Sequence, residues 1–161
     1  MSAVTAVPFL DLSTAFKALE AEWLETIRAS GAKGSFILGP QTVEFEKEFA
    51  QYVGVKHAIG VANGTDSLVL SLRALGIGPG DEVITTPWTF FASAESISIV
   101  GATPVFVDIR PDTYCLDPDS IVKRLTPKTR AIMPVHIFGH AADMDAIMQI
   151  AKDRKLEVIE E

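Results

Sequence analysis

A short polar turn, Asn63-Gly64-Thr65-Asp66, separates two apolar segments of the sequence, and its residue types suit the binding of an anion. Residues 57–62 before it are typical of a β-strand, and residues 66–75 after it have the apolar period of a helix. The first N–H groups of a helix lack partners inside the helix and carry partial positive charge, which favours an anion. Gly64 permits close approach of the backbone, and Thr65 adds a hydroxyl donor.

The same turn has a simpler interpretation as an ordinary helix cap. The carboxylate of Asp66 would repel a phosphate if it pointed inward, although it can instead point outward or bond the turn. Spacing alone favours the capped helix over the anion site.

Other residues that can do chemistry also follow predicted strands. These strand ends carry Thr86-Pro87-Trp88-Thr89-Phe90, Asp108, Val135-His136 and Glu160-Glu161. In open parallel α/β sheets, ligands bind beyond the carboxyl ends of the strands. We therefore expect these groups and the Asn63 turn to lie near one another. From composition alone, Phe90 is a core residue at the start of a helix.

The elements that position these residues alternate between strand and helix from residue 57 onward. Predicted strands lie at 57–62, 82–86, 104–107, 130–135 and 156–160, and predicted helices at 66–75, 90–100, 119–125 and 143–153. Asp117 or Asp119 is expected to cap the third of these helices and Asp143 the fourth. The pattern predicts an α/β fold with a mostly parallel sheet flanked by helices on both faces.

The first 56 residues have a different character. Helices are predicted over residues 14–30 and 42–53, the second with Phe45 and Phe49 on its inner face and Gly54 at its end. Between them, GAKGSFILGP is a loop with an apolar centre. It either packs on its own core or covers a neighbouring site or subunit, and its composition favours the former.

Composition excludes several classes of function. A net charge of −7 over 161 residues disfavours nucleic acid and anionic lipid as partners. No apolar run reaches the roughly 18 residues of a membrane span, the N-terminus does not resemble a signal peptide, and Cys115 is the lone cysteine. These features predict a cytoplasmic protein. His57, His136 and His140 are isolated apart from a weak H-x-x-x-H pattern at 136/140 that contains Gly139, so no metal is expected, and no P-loop or dinucleotide fingerprint is present.

Several blocks of the sequence, in order, carry a resemblance to a known family. They are VPFLDL, FILGP, GTDSL, GPGDEVITTPWTFFAS, GATPVFVDI, TYCLDP, RAIMPVHIFGH, DMDAI and LEVIEE. Together they resemble the DegT/StrS family of pyridoxal-phosphate-dependent sugar aminotransferases. The resemblance implies part of the large domain of a fold-type I transferase: a helical arm and active-site loop (1–56) and a β/α core (57–161), without the small C-terminal domain.

The resemblance also implies roles for single residues. The turn formed by Gly64, Thr65 and Asp66 would hold the phosphate of pyridoxal 5'-phosphate (PLP), in its aldehyde or amine (PMP) form. Phe90 would stack on the pyridine ring, with Trp88 as the nearby alternative. His136 would either lie beside the cofactor or substrate or act as a hydrogen-bonded histidine behind them.

The sequence departs from the family at its last block. The family usually has V-I-E-D followed by A-Q, and the aspartate pairs with the protonated pyridine nitrogen. Here Val158-Ile159-Glu160-Glu161 places Glu161 at that position, with the same charge but one more methylene. A fit of this kind is sensitive to about 1 Å.

The family's Schiff-base lysine, which lies well downstream in a serine-containing segment, has no counterpart among the eight lysines here. We therefore expect an N-terminal fragment of an aminotransferase that is inactive by itself. The parent would move an amino group from an amino acid, with glutamate favoured, to a nucleotide-linked keto sugar. It would act as a homodimer or with a complementing C-terminal chain, and the FILGP loop would serve the neighbouring site. A non-catalytic cofactor- or partner-binding module and an unrelated phosphate-binding α/β domain are the alternatives.

Overall fold

The computed structural model describes residues 8–161; the predicted absence of a signal peptide falls partly on residues 1–7, outside this range. The chain divides into two compact units, which meet in the sequence between Gly60 and Val61. The helices of the described residues are α1 (Ser13–Lys33), α2 (Pro40–Val53), α3 (Gly64–Ala74), α4 (Ala92–Ile99), α5 (Pro118–Arg124) and α6 (Met144–Arg154), with a 3₁₀ turn at Ile137–Gly139. The strands are β1 (Glu82–Thr85), β2 (Thr103–Phe106), β3 (Thr129–Ile132) and β4 (Glu157–Val158).

The first unit contains α1 and α2, as predicted, and both helices end at glycines. Gly34 and Gly54 adopt left-handed φ angles of 62° and 78°, a conformation that glycine reaches without strain. The Nε2 group of Gln41 donates a hydrogen bond of 3.1 Å to Oγ of Ser30, which joins the start of α2 to the end of α1.

The predicted inner face of α2 is wrong for this chain. Phe45 and Phe49 stack on each other with centroids 5.5 Å apart, but they are 58% and 47% exposed. An amphipathic helix buries its apolar stripe only where another element covers it. In the first unit as described, α1 is the only other helix, and its own Phe16 and Trp23 are also exposed.

The second unit is built on a four-stranded parallel sheet with the order β2-β1-β3-β4, which confirms the predicted fold class. Strand alternation sends neighbouring residues to opposite faces. Val83 joins the apolar cluster of Leu72 in α3 and Ile97 in α4. Ile84 joins the cluster of Ile121 in α5 and Ile147 in α6. Both faces are therefore covered by helices, which explains the continuous apolar character of the strands.

The connections create a crevice at the carboxyl edge of the sheet. The chain leaves β1 toward α4 on one face and leaves the neighbouring β3 toward α6 on the other. Adjacent strands whose connections diverge in this way leave space between them, where α/β proteins bind ligands. The hydroxyl of Thr85 donates a 3.0 Å hydrogen bond to the carbonyl oxygen of Met133 and joins the two chain segments there.

The predicted strand at residues 57–62 is absent from the structure. This segment lies between α2 and α3, pairs with no strand in the described part of the chain, and leaves Ile59 81% exposed. A strand is stable only through hydrogen bonds to a neighbour, so an apolar pattern without a partner remains an extended connection.

The predicted caps are confirmed. Oxygens of Asp117 accept from the N–H groups of Asp119 and Ser120 at the start of α5, and Asp143 accepts from Ala146 at the start of α6. None of the helices in residues 8–161 has both the length and the apolar character that crossing a membrane requires.

Candidate functional site

The start of α3 lies at the carboxyl edge of the sheet. Helix α3 ends at Ala74, and a short turn leads to the beginning of β1 at Glu82. Leu68 and Leu72 pack across the strands in the same cluster as Val83. The helix must therefore run antiparallel to the strands, which brings Gly64 and Thr65 to the edge where ligands bind.

Asn63 and Asp66 close the turn before α3 through two hydrogen bonds. Oδ1 of Asn63 accepts from the N–H of Asp66 at 2.9 Å, and Nδ2 of Asn63 donates to Oδ2 of Asp66 at 3.0 Å. The Asp66 carboxylate is thus engaged with the turn. Among residues 8–161, the N–H groups of Gly64 and Thr65 have no acceptor, so two amides and the Thr65 hydroxyl can receive an anion.

Aromatic side chains follow β1. The hydroxyl of buried Thr86 accepts from the N–H of Trp88 at 3.0 Å and shapes the turn. One face of the Trp88 ring is covered by Tyr114, with centroids 6.2 Å apart and planes at 29°. Phe90 is 75% exposed rather than buried, so the expectation from composition of a core residue is wrong.

The hydrogen-bonded ladder between β3 and β4 continues past the ends of both strands to His136 and Glu161. The N–H of Glu161 donates to the carbonyl oxygen of Pro134 at 3.0 Å, and the N–H of His136 donates to the carbonyl oxygen of Glu161 at 2.8 Å. The N–H of Ile159 similarly bonds Ile132 at 3.1 Å. These are the slanted bonds of a parallel pair, so side chains alternate between the faces up to residue 161.

Alternation places Glu161 on the face of α3. Ile159, two residues earlier, packs with Leu68 and Leu72 of that helix. The Oε2 atom of Glu161 is buried and has no hydrogen-bond partner among the described residues. A buried carboxylate oxygen without a donor is unfavourable, and a ligand with an N–H group on this face of the sheet would satisfy it.

His136 and Glu160 lie on the opposite face of the sheet. Nδ1 of His136 accepts from the N–H of Ala142 at 3.1 Å, and its Nε2 lies 3.0 Å from Oε2 of Glu160. Ala142 belongs to the cluster beneath α5 and α6. Because both ring nitrogens are engaged, this geometry favours the hydrogen-bonded interpretation of His136 over direct contact with a ligand.

No three His, Cys, Asp or Glu side chains in the described residues converge as metal ligands would. His140 contributes its carbonyl oxygen to the thiol of buried Cys115 at 3.3 Å. Asp108, at the end of β2, accepts from the N–H of Ile109 within its own turn.

Sequence reasoning named the Gly64–Asp66 turn, Phe90, His136 and Glu161, all of which follow strands or open a helix at one edge of the sheet. It included Asn63 and Glu160 among the polar segments at the strand ends but gave neither residue a role of its own. The position of Asn63 three residues before Asp66 was a usable signal, because asparagine is a preferred N-cap. The contact of Glu160 with His136 spans 24 positions and leaves no local pattern.

Comparison with known proteins adds independent information. Residues 17–161 match the model of the DegT/DnrJ/EryC1/StrS aminotransferase family. A dTDP-3-amino-3,4,6-trideoxy-alpha-D-glucose transaminase of Streptomyces venezuelae is 48% identical over 155 residues, which are 96% of this chain and 41% of that protein. A UDP-N-acetyl-3-dehydro-alpha-D-glucosamine 3-aminotransferase of Acidithiobacillus ferrooxidans is 48% identical over 161 residues, covering this whole chain and 44% of that protein.

Solved structures agree. DesV of S. venezuelae superposes with a TM-score of 0.94 at 47% identity, covering 98% of this chain and 42% of that one. NtdA of Bacillus subtilis, solved with bound cofactor PMP, gives a TM-score of 0.92 at 40% identity, covering 98% of this chain and 36% of that one. The chain thus spans less than half the length of these relatives. With the family model matched from residue 17 to residue 161, the chain belongs to the DegT/DnrJ/EryC1/StrS aminotransferase family.

Proposed function

We propose that this chain is the N-terminal part of a PLP-dependent aminotransferase that transfers an amino group from an amino acid, glutamate in our proposal, to a keto sugar carried on a nucleotide. The names of its relatives as dTDP- and UDP-sugar aminotransferases support the reaction class. The observation that carries the proposal is the unpartnered Oε2 of Glu161 on the same sheet face as the free amides of Gly64 and Thr65.

The residues present fit the cofactor. A phosphorylated pyridine ring offers an anionic group at one end and, when protonated, an N–H donor at the other. The amides of Gly64 and Thr65 suit the phosphate, and the buried Glu161 oxygen lacks such a donor. The exposed ring of Phe90 provides an apolar surface for the flat face of the pyridine.

Each residue then has a distinct task in the proposed site. Gly64 and Thr65 bind the phosphate, while Asn63 turns the Asp66 carboxylate away from it. Phe90 orients the ring and excludes water from its face. Glu161 holds a proton on the pyridine nitrogen, because a carboxylate beside it favours the charged form. When bound, PLP supplies an electron sink for the amino-group transfer.

The lysine that such a reaction requires is proposed to lie in a continuation of the polypeptide. The proposal follows from the length comparison, since this chain covers only 41% to 44% of two relatives that match nearly all of it. Reading the coding sequence beyond Glu161 tests it directly. A continuation with a lysine in a serine-containing segment is expected; a stop codon there would favour a split enzyme or a binding module.

Partner chains are also part of the proposal. Large apolar side chains are exposed on both helices of the first unit: Phe16, Leu19, Trp23, Ile27, Phe45 and Phe49. An exposed apolar surface of this extent is typical of an association surface. We propose a homodimer, or a complex with a complementing chain, that works in the cytoplasm, and the net charge of −7 argues against nucleic acid as a partner.

The central experiment measures binding of pyridoxamine 5'-phosphate to this chain by titration calorimetry. PMP has no aldehyde, so adventitious adducts with surface lysines do not contribute. Glu161→Gln is expected to weaken binding about tenfold or more, because a charge-assisted hydrogen bond contributes roughly 1.5–3 kcal/mol. Glu161→Asp is expected to retain most of the affinity.

The matched control is Glu157→Gln, an exposed carboxylate earlier in the same strand. It should bind PMP as the unaltered chain does. Equal affinities for Glu161→Gln and the unaltered chain would remove Glu161 from the site, and failure of the unaltered chain to bind PMP at all would count against the proposed function of this site.

A further inference from the structure

We propose that His136 is a positioning residue that holds Glu161 in place from the opposite face of the sheet, as a neutral imidazole with its proton on Nε2. The inference deepens the proposed function, on which the role of Glu161 rests. His136 fixes the end of β4 and does not contact the cofactor itself.

The tautomer follows from the backbone of the neighbouring turn. The N–H of Ala142 points at Nδ1 of His136 with a donor–acceptor distance of 3.1 Å. A backbone N–H can only donate, so Nδ1 must be the acceptor and carries no proton. The remaining ring proton of the neutral form is therefore on Nε2, which donates to Oε2 of Glu160 at 3.0 Å.

Three hydrogen bonds then fix the end of β4 against the end of β3. The His136 side chain holds the side chain of Glu160, the His136 N–H holds the carbonyl of Glu161, and the Glu161 N–H is held by Pro134. With the backbone of residue 161 fixed on both sides, its side chain can point only to the face of α3.

The pair is suited to positioning rather than to stabilising the fold. Its side chains are 27% and 58% exposed, and a hydrogen bond this open to solvent contributes little to the free energy of unfolding. Positioning is a better account of its location, since the long side chain of Glu161 has several rotamers and can miss its partner if the backbone shifts. Fixing the backbone at residue 161 reduces that freedom.

Two substitutions of His136 test its hydrogen bonds to Glu160 and Ala142 separately. In His136→Gln, the side-chain amide can reach Glu160 from the position of Nε2 but offers no acceptor to Ala142. In His136→Asn, the side-chain oxygen can accept from Ala142 but does not reach Glu160. If His136 positions Glu161 through Glu160, His136→Gln should retain PMP affinity within about threefold. His136→Asn and His136→Ala should lose about tenfold in affinity, as Glu161→Gln does.

A double-mutant cycle tests whether His136 acts through Glu161. Residues that act as one unit give non-additive effects, so His136→Ala combined with Glu161→Gln should bind PMP no more weakly than Glu161→Gln alone. If the loss of PMP affinity in the double variant equals the product of the losses in the two single variants, His136 acts independently of Glu161 and the proposal is overturned.

Two further measurements need no cofactor and therefore separate this inference from the proposed function. Nitrogen-15 NMR of the imidazole in the unaltered chain should show Nδ1 unprotonated and Nε2 protonated; the opposite tautomer would overturn the proposal. His136→Ala should also accelerate hydrogen exchange at the backbone amide of Glu161 and change the carbon-13 chemical shift of the Glu161 side-chain carboxyl group. His136→Gln should change neither signal. If both signals are insensitive to the substitutions, His136 does not position Glu161, whether or not PMP binds.

Discussion

Asn63 and Asp66 bond each other in both directions at the start of α3, and this reciprocal contact occupies the N–H of Asp66. The Asn63 oxygen occupies the N–H of Asp66 at 2.9 Å, while the Asn63 amide group holds the Asp66 carboxylate at 3.0 Å. The two preceding N–H groups stay free among the described residues. The helix cap and the anion site, which the sequence presented as alternatives, are therefore compatible.

Replacing Asn63 by alanine removes both contacts. We expect a loss of about 1 kcal/mol of unfolding free energy, seen as a decrease of about 2–4 °C in Tm, together with weaker PMP binding as the Asp66 carboxylate is released. Thermal unfolding and calorimetry measure the two effects. Asn63→Ser is the control, because serine is an equally good cap and should restore the stability; an unchanged Tm for Asn63→Ala would show that the cap contributes nothing.

Thr65→Val tests the phosphate assignment with little change in shape. The methyl group that replaces the hydroxyl cannot donate to a phosphate, so affinity for PMP is expected to fall about tenfold. Thr65→Ser, which retains the hydroxyl, should bind nearly as tightly as the unaltered chain. Pyridoxamine without its phosphate should bind both variants equally, and unchanged PMP affinity in Thr65→Val would argue against this turn as the phosphate site.

Phe90→Ala separates a ligand-stacking role from a packing role. Because Phe90 is 75% exposed, its removal is expected to change the unfolding free energy by no more than about 0.5 kcal/mol. PMP affinity should nevertheless fall about three- to tenfold, as loss of an aromatic contact implies. The neighbouring Phe91 is 71% exposed and provides a matched control; an equal loss for Phe91→Ala would show that the effect is not specific to residue 90.

The N-cap Asp117 is expected to make the free energy of unfolding depend on pH in acid. The hydrogen bond from the Ser120 hydroxyl, followed by the N–H groups of Asp119 and Ser120, lowers the pKa of Asp117 below its ordinary value of 3.8. A lowered pKa in the folded state means that the carboxylate stabilises the fold above about pH 3.8 and loses this effect as the pH falls through the folded-state pKa.

The corresponding experiment compares Tm as a function of pH. Asp117→Ala should be less stable by about 1 kcal/mol at pH 7, with the difference shrinking in strong acid. Asp117→Asn preserves an N-cap oxygen without a titrating group, so it should remain stable at pH 7 and lose only the pH dependence assigned to this site. A constant difference between Asp117→Ala and the unaltered chain across the pH range would contradict the assignment.

Borohydride reduction tests the absence of a catalytic lysine in residues 1–161. None of the eight lysines lies in the sequence context of the family's Schiff-base lysine, so we expect no stoichiometric adduct at a single lysine after incubation with PLP and reduction. Peptide mass mapping is the measurement. A complete adduct on one lysine would show that this chain carries its own reactive amine.

Local signals in the sequence predicted much of the fold. Gly54 was expected to end α2, Asp143 to cap α6, and residues 82–86 to form a strand of a sheet with helices on both faces, and each expectation is confirmed. These features depend on a residue's own conformational preference or on its near neighbours. The assignment of Asn63 as a helix cap was available from the same kind of signal.

Features that depend on distant partners were not predictable in this way. Residues 57–62 have the composition of a strand, but hydrogen bonds to another segment decide whether a strand forms. The burial of Phe45 likewise depends on what covers α2. The bond between His136 and Glu160 requires β3 and β4 to be adjacent and in register, and neither residue's local sequence contains that information.

The order of the strands also determines when the second unit can fold during synthesis. Strands β2 and β3 both pair with β1, and β4 pairs with β3, so each of the three later strands pairs with one that precedes it by fewer than about 50 positions. Domains form during synthesis from the N-terminal side. The residues of the proposed cofactor site can thus come together as soon as residue 161 has left the ribosome.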